Sequence, residues 1–509
     1  MGFFGTDGVR GKSSVNSTGD PIKLFEEEMM FTPALCAKLA LSASNFVGHG
    51  SVIIGWDRRP NNEVYANLLI EKLSLGGRDV LVIGETSTPA LQYTMIAKDA
   101  VLGFMITASH NPAEDTGLKV ILQGGRKPSE FEELVIESGI KILKQDENSS
   151  VIGAIKQISP REYREYVKEK INQMKLSKNW LPESLLIDGS SGWISSWLSE
   201  LLTEMGIDCI EVSNRELEIN HECGAGNLFE GLTMTWLDCK ESQHALLRKI
   251  SPEPRGMIIG FSFDGDGDRC LMIVSNGDGI VVVGGDGFLR LYSASLNEDE
   301  DFSLAYTIQS SLDIPKSFQN LGGSLIIETG VGDRQLQHAL LDATSDFRIG
   351  AEPSGHVILE HKYRNLVGLW GDGVITMFQF LSLGLDPEII NSTILTNGKG
   401  INLSKSVFPS DRSLWKSDNS LAEELTSNFS SMLDVEMGSI NVKQVRDKSE
   451  TLIIESSSRE IWSLTVRNSG TEQKTRMTLR TTSNERKFAR DLLNRLFAFL
   501  ERNLKIRAP

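Results

Sequence analysis

The sequence predicts an α/β protein, with three α/β units in succession and then a unit of α+β character. Two observations carry this. First, short apolar runs of strand length end in polar loops and alternate with stretches of helical spacing, as in a mixed α/β sheet. Second, that alternation occurs three times along the 509 residues and stops in the last hundred, where strand-like runs follow one another before a long closing helix. The units are expected at 1–155, 156–280, 281–395 and 396–509.

The first unit opens on Phe4-Gly5-Thr6-Asp7-Gly8-Val9-Arg10-Gly11, where glycines crowd the backbone and leave one arginine free to point at a partner. The polar stretch Lys12 to Asp20 predicts a loop, and Thr32 to Phe46 has helical spacing. Ser51 to Gly55 predicts a strand, followed by Trp56-Asp57-Arg58-Arg59-Pro60 and a helix to Leu75. Asp79 to Ile83 predicts another strand, and Ser87-Thr88-Pro89 caps a short helix, since proline is tolerated in a first turn. The apolar run Ala100 to Ile106 leads into Thr107-Ala108-Ser109-His110-Asn111-Pro112, and Asn-Pro breaks the chain there. This alternation implies a mainly parallel sheet with helices on both faces. The second unit has a strand at Leu185 to Asp188, an amphipathic run from Trp193 to Met205, and a strand at Met257 to Phe263. Strands at Ser303 to Ile308, Leu325 to Glu328 and Phe347 to Gly350 build the third. The fourth has strands at Thr451 to Glu455, Ile461 to Val466 and Arg476 to Arg480, closed by a helix from Glu485 to Leu504.

Composition narrows the function. A net charge of −16 argues against a nucleic-acid surface, because phosphate backbones require a basic footprint. Five cysteines without a CxxC pair indicate neither a disulfide framework nor a zinc site. The opening Met1 to Asp7 does not read as a signal peptide and no run approaches a membrane span, so neither is expected. A cytoplasmic protein, monomer or homodimer, is expected.

Three polar loops carry chemistry. Asp264, Asp266 and Asp268 alternate with glycines after an apolar strand, and three hard oxygen ligands suit Mg²⁺ or Ca²⁺. An EF-hand is excluded, because its glycine and glutamate positions hold Arg269 and Ser275. Ser109 lies at a strand end, the usual ligand position on an open α/β sheet. It lacks the GxSxG of a hydrolase elbow, and the adjacent His110 points away from it in an extended chain. A serine that carries a phosphoryl group fits better, its added charge of about −1.5 to −2 offset by a cation and by Arg59, Lys119 and Arg269. In Arg467-Asn468-Ser469-Gly470-Thr471-Glu472, hydroxyls from Ser469 and Thr471, backbone N–H groups and a guanidinium make an anion nest. A fourth loop, Glu352-Pro353-Ser354-Gly355-His356, offers groups that hydrogen-bond sugar hydroxyls.

These loops, in this order, resemble those of the α-D-phosphohexomutase superfamily, and the resemblance covers nearly the whole chain. The opening Phe-Gly-Thr-Asp-Gly-Val-Arg-Gly is most like its phosphoglucosamine mutase branch. The resemblance implies four domains around a central cleft, the first three similar in fold. It implies that Ser109 is a phosphoserine and that Asp264, Asp266 and Asp268 hold Mg²⁺ together with its phosphate. It places Glu352, Ser354 and His356 on the sugar, and Arg467, Asn468, Ser469, Gly470 and Thr471 on the non-reacting phosphate. Arg10, Lys119 and Arg269 match basic positions near the reacting phosphate, with general acid/base roles, and His110 and Arg59 are expected to be catalytic beside them. The implied activity moves a phosphoryl group between the 6- and 1-positions of a hexose, primed by a sugar 1,6-bisphosphate. Glucosamine phosphate is the first choice of sugar phosphate, and mannose and glucose phosphates are alternatives. A phosphatase or kinase-like phosphotransferase is a rival, although no GxxxxGK[ST] is present; a silent sugar-phosphate-binding protein is another. Gln473, Pro353, Asp115-Thr116-Gly117 and an insertion at 12–28 depart from the family pattern.

Overall fold

The computed structural model describes residues 3–5, 7–143, 151–174, 176, 181–297, 300–319, 321, 325–384, 386–395, 400–444, 450–456, 460–469 and 473–506. Four sheets follow one another along the chain, of seven, six, five and five strands. In the first, Val52–Trp56 runs parallel to Val80–Glu85 and Leu102–Ile106. Side chains alternate across this sheet as a strand requires. Val52 and Ile54 pack with Leu35, Leu39 and Leu69 of the helices Pro33–Phe46 and Asn62–Leu75. Ile53 packs on the other face with Leu91 and Met95 of the helix Thr88–Ala97. Ser87 caps that last helix, accepting from the Ala90 N–H at 3.3 Å.

Parallel pairing is not the general rule. Asp115–Leu122 returns antiparallel beside Leu102–Ile106, and Val9–Ser13 pairs antiparallel with it in turn. In the second sheet Ile258–Phe263, Cys270–Ser275 and Gly279–Val283 form an antiparallel meander. The third ends in the hairpin Val357–Tyr363 and Leu366–Gly371, and every pairing in the fourth is antiparallel. The expectation of a mainly parallel sheet, made for the first unit, holds there, since four of its six pairings are parallel; the later sheets are mixed or antiparallel. An apolar run predicts a strand but not the direction of its neighbour, which depends on the return connection.

Two local readings also change. Lys12 and Ser13 pair in parallel with Met30 and Phe31, so the stretch read as a loop begins as strand. The run Trp193 to Met205 divides into a 3₁₀ turn, Ile194–Ser196, and a helix, Leu198–Glu204. Trp197, at φ −150°, interrupts it.

One hydrophobic core runs from Tyr93 and the helix Arg161–Gln173 through the second and third sheets to Val374 and Phe378. The fourth sheet and its closing helix Arg486–Leu504 have a core of their own, containing Trp415, Phe429, Leu464 and Leu496. No single helix among the described residues is long and apolar enough to cross a membrane. Each polar loop follows a strand: Leu102–Ile106, Ile258–Phe263, Phe347–Ala351 and Trp462–Asn468.

Candidate active site

Ser109 is 1% exposed and takes φ 50°, a left-handed conformation that few non-glycine residues adopt. Its N–H donates to Thr107 Oγ1 at 2.8 Å, and Thr107 Oγ1 donates to Asp57 Oδ2 at 2.6 Å. The Ser109 hydroxyl accepts from Arg10 Nη2 at 3.0 Å, and Arg10 also pairs with Asp7 at 3.1 Å. Arg10 and Lys119 reach the site from adjacent antiparallel strands.

Arg59 is placed differently from the expectation for a residue facing the reacting group. Its guanidinium donates to the carbonyls of Ser109 and Asn111 at 2.7 and 2.8 Å. It also donates to Asp115 O at 3.0 Å and to Pro112 O, while Nε pairs with Asp57 at 3.1 Å. It holds the serine loop from behind.

The aspartate loop meets the serine directly. Gly267 takes φ +75° and lets the loop turn tightly. A Cβ on Gly265 would come within 2.8 Å of the Ser109 carbonyl. All three carboxylates are buried and offer oxygens within 4.8 Å of one another. Asp264 Oδ2 and Asp266 Oδ1 are buried without a hydrogen-bond partner. Burial, with Asp268 and Asp266 beside it, pushes the Asp264 carboxyl up to about 8. Lys119 Nζ lies 2.7 Å from Asp266 and 2.6 Å from each of Asp268 and Asp7. Its own burial opposes the charge, but these carboxylates outweigh it and hold the ammonium well above its usual range. Burial would likewise raise Asp268, yet Lys119 and His356 hold it well below the carboxylate range. The set fits a divalent cation, since three hard anionic ligands converge and two of their oxygens await a partner.

The third loop joins this centre through the backbone. Cys270 N–H donates to Gly355 O at 3.0 Å, and Arg269 and His356 form an antiparallel bridge. His356 lies between Asp268 Oδ1 at 3.0 Å and Glu352 Oε1 at 2.6 Å. Burial disfavours its charge, but Asp268 raises it to about 10, so it is an imidazolium. Ser354 donates to Glu352 at 2.6 Å, and the Arg269 Nε lies 3.6 Å from Asp264. His110 is neutral, because burial and then Arg269 and Arg10 hold it well below its usual range.

In the fourth loop Asn468 serves the fold. Its amide donates to Arg412 O at 3.0 Å and accepts from Thr475 Oγ1 at 2.7 Å. Arg412 in turn donates to Ser469 O. Arg467 sits opposite Arg476 on the neighbouring strand, which gathers positive charge at this end of the sheet. Gly470 and Thr471 lie outside the described residues.

Several members of the centre carried no sequence signal of their own. Lys127 Nζ pairs with Asp7 at 2.5 Å and with Asp333. Thr88 Oγ1 donates to Asp266 at 2.5 Å, and Asn220 Nδ2 donates to Ser109 O at 2.8 Å. Only Asp7, three residues from Arg10 in the opening motif, could have been found by position.

Comparison with known proteins gives a consistent result. Family models described as phosphoglucomutase/phosphomannomutase, alpha/beta/alpha domain I and domain III, match residues 1–147 and 276–388. A phosphoglucosamine mutase of Dictyoglomus turgidum is 31% identical over 396 residues, 75% of this chain and 78% of that one. A phosphoglucomutase/phosphomannomutase family protein of Burkholderia thailandensis superposes with a TM-score of 0.69 at 17% identity, covering 99% of both chains. Aspergillus fumigatus N-acetylphosphoglucosamine mutase, in complex with GlcNAc-6P and magnesium, does so at 0.54 and 17%, covering 82% of this chain and 91% of that one.

Proposed function

The chain belongs to the α-D-phosphohexomutase superfamily, and we propose that it interconverts glucosamine 6-phosphate and glucosamine 1-phosphate through a phosphoserine at Ser109. One observation carries the reading. A buried, left-handed serine presents its hydroxyl to Arg10, and an aspartate loop with unpartnered buried oxygens packs against its carbonyl. The sugar follows relatives such as the phosphoglucosamine mutases of Dictyoglomus turgidum and Prochlorococcus marinus.

Asp264, Asp266 and Asp268, with an oxygen on Ser109, would hold Mg²⁺, whose charge would offset that of the phosphoryl group. The remaining steps use the protein's own groups. The bond from phosphorus to Ser109 Oγ breaks as a bond to the sugar hydroxyl oxygen forms, and the hydroxyl proton passes to a base. That proton ends on the released Ser109 oxygen, so none is gained or lost overall. Arg10 stabilises the serine oxygen as it is released, and Lys119 and Arg269 keep their charge throughout. The resulting 1,6-bisphosphate turns over and returns its other phosphate to Ser109. Glu352 and Ser354 would hold sugar hydroxyls, and the Arg467–Thr471 loop would hold the phosphate that does not react. Positioning and charge stabilisation supply most of the catalysis, as in phosphoryl transfer generally.

The test compares kcat/KM for the 6-phosphates of glucosamine, mannose and glucose, each with its own 1,6-bisphosphate primer at equal Mg²⁺. Glucosamine phosphate should lead by about tenfold or more, ~1.4 kcal/mol in transition-state binding. An equal lead for mannose or glucose phosphate would reassign the sugar. Full turnover by Ser109→Ala would remove the covalent step.

A further inference from the structure

We infer that Asn220, from the second unit, is a positioning residue that locks Ser109 in its left-handed conformation and so aims the hydroxyl at Arg10. The inference rests on the reading that Ser109 carries the phosphoryl group.

Asn220 Nδ2 donates to two carbonyls of the serine loop, Ser109 O and Asn111 O, each at 2.8 Å. A side-chain amide has two N–H groups, and both are used here. The other end of the amide is fixed as well, because Asn220 Oδ1 accepts from Ser190 Oγ at 2.7 Å. The Asn220 N–H donates to Ser190 O at 3.0 Å. Asn220, Ser190 and Ser191 all take positive φ, at 62°, 61° and 54°. Three neighbouring left-handed residues, two of them serines, persist only where the surroundings over-determine them. Here the Ser190–Ser191 turn holds Asn220, which delivers one amide to one loop.

The effect on Ser109 follows from geometry. The direction of a residue's carbonyl is set by its ψ, so groups that hold Ser109 O hold its backbone. Arg59 donates to the same two carbonyls from the first unit. Each of these oxygens therefore receives one donor from each unit, which uses both of its lone pairs. The position of Gly265 against Ser109 O then ties the aimed hydroxyl to the aspartate loop. Without Asn220 one of the two restraints is gone, and the serine can relax out of the left-handed region that its side chain disfavours. The contact is not needed to join the two units. Arg215 pairs with Glu85 at 2.8 Å, and Arg58 donates to Leu217 O at 2.9 Å across the same boundary.

Two substitutions test this. Asn220→Gly deletes the amide while keeping a residue that adopts positive φ freely. Asn220→Asp keeps the shape but turns an oxygen towards two carbonyl oxygens. With glucosamine 6-phosphate and its bisphosphate primer, both should lower kcat by about 10- to 100-fold and leave KM unchanged, because the Asn220 amide is occupied by the serine loop and Ser190. The ³¹P resonance of the phosphoserine should broaden or split in both. Glu85→Ala, which removes a different contact across the same boundary, should leave kcat and the resonance as they are. Ser190→Ala, which frees the far end of the amide, should lower kcat in the same direction and serves if the Asn220 variants fail to fold. The inference is overturned if kcat stays within about twofold of the parent, or if Glu85→Ala lowers it equally. Ser109→Ala separates the two levels. Full turnover by that variant defeats the phosphoserine reading itself, whereas its inactivity beside a fully active Asn220→Gly defeats only this inference.

Discussion

At the scale of single residues, the centre stores electrostatic repulsion. Asp264, with its carboxyl at about 8 through burial and its two neighbours, resists ionisation until a cation arrives. Asp264→Asn should therefore remove most turnover without lowering the thermal midpoint, because it relieves repulsion as it removes a ligand. Exhaustive chelation should likewise stop the parent enzyme and Mg²⁺ should restart it; rates that survive chelation would refute the metal role. A second carboxyl gives a pH signature. Glu211 accepts from the Ser213 hydroxyl at 2.6 Å, but its Oε2 is buried without a partner, and burial pushes it up to about 7. The folded state thus binds this proton more tightly than the unfolded chain, so the ionised group is a cost that is fully present above pH ~8 and fades as pH falls through ~7. Glu211→Gln should raise stability by about 1–3 kcal/mol at pH 8, with the gain shrinking towards pH 5 in thermal melts. An equal gain at both pH values would show that ionisation is not the cause. The residues legible in the sequence were those that concentrate chemistry in a short motif, such as Asp264 to Asp268. Lys127 and Asn220 were not legible, since their partners lie 120 and 111 residues away and no local pattern marks them.

Elements were legible to the extent that burial writes a pattern into them. The strands that feed the four loops were readable as apolar runs, because both faces of a covered sheet are buried. The meander Cys270–Ser275 and Gly279–Val283 went unread, since its first strand begins one residue after Arg269 of the aspartate loop and looks like part of the motif. Asp115–Leu122 was read only as a family motif ending in Lys119, although its second half, Leu118 to Leu122, pairs with Leu102–Ile106 and its first half with Val9–Ser13. One helix shows how an element is secured by a distant group. Gly373–Ser382 is capped by Asp372, which accepts from the Ile375 N–H at 3.0 Å. Asp372 also accepts from the Tyr163 hydroxyl at 2.8 and 2.9 Å, which binds the helix Arg161–Gln173 to it. Asp372→Ala should cost about 1–2 kcal/mol for the cap and more for the stranded hydroxyl. Tyr163→Phe should cost about 1 kcal/mol. Denaturant midpoints of both variants and of the double variant would measure the coupling. Strict additivity would show that the two groups do not act together.

At the scale of the whole molecule, the four loops stand on bodies with separate cores. The serine, aspartate and sugar loops are stitched together by Asn220, Lys119, Lys127 and the Arg269–His356 bridge. The Arg467 loop instead stands on the fourth sheet, whose core is its own. The junction between the fourth unit and the third includes polar contacts. Arg480, 1% exposed, donates to Ser310 O at 2.9 Å and lies 3.7 Å from Glu328. Asn402 donates to Gln309 O at 2.7 Å. A polar junction between separate cores permits rotation more readily than a shared apolar core does. A loop proposed to clamp phosphate must also release it, and closing motions of this kind commonly gate turnover. Solution scattering should therefore show compaction when glucosamine 6-phosphate is added, and identical profiles with and without saturating ligand would refute the clamp. Two substitutions separate the grip from the pivot. Arg467→Ala removes a group proposed to hold the non-reacting phosphate, whose binding would be alike in ground and transition states, so it should raise KM by about tenfold or more with kcat little changed. Arg480→Lys keeps the charge but loses the fork that reaches Ser310 O and Ser463 Oγ together. It should leave the phosphate loop intact while widening the unliganded ensemble. KM should then rise by less than in Arg467→Ala, and the scattering difference between free and bound enzyme should grow. A smaller difference would place the pivot elsewhere in the junction.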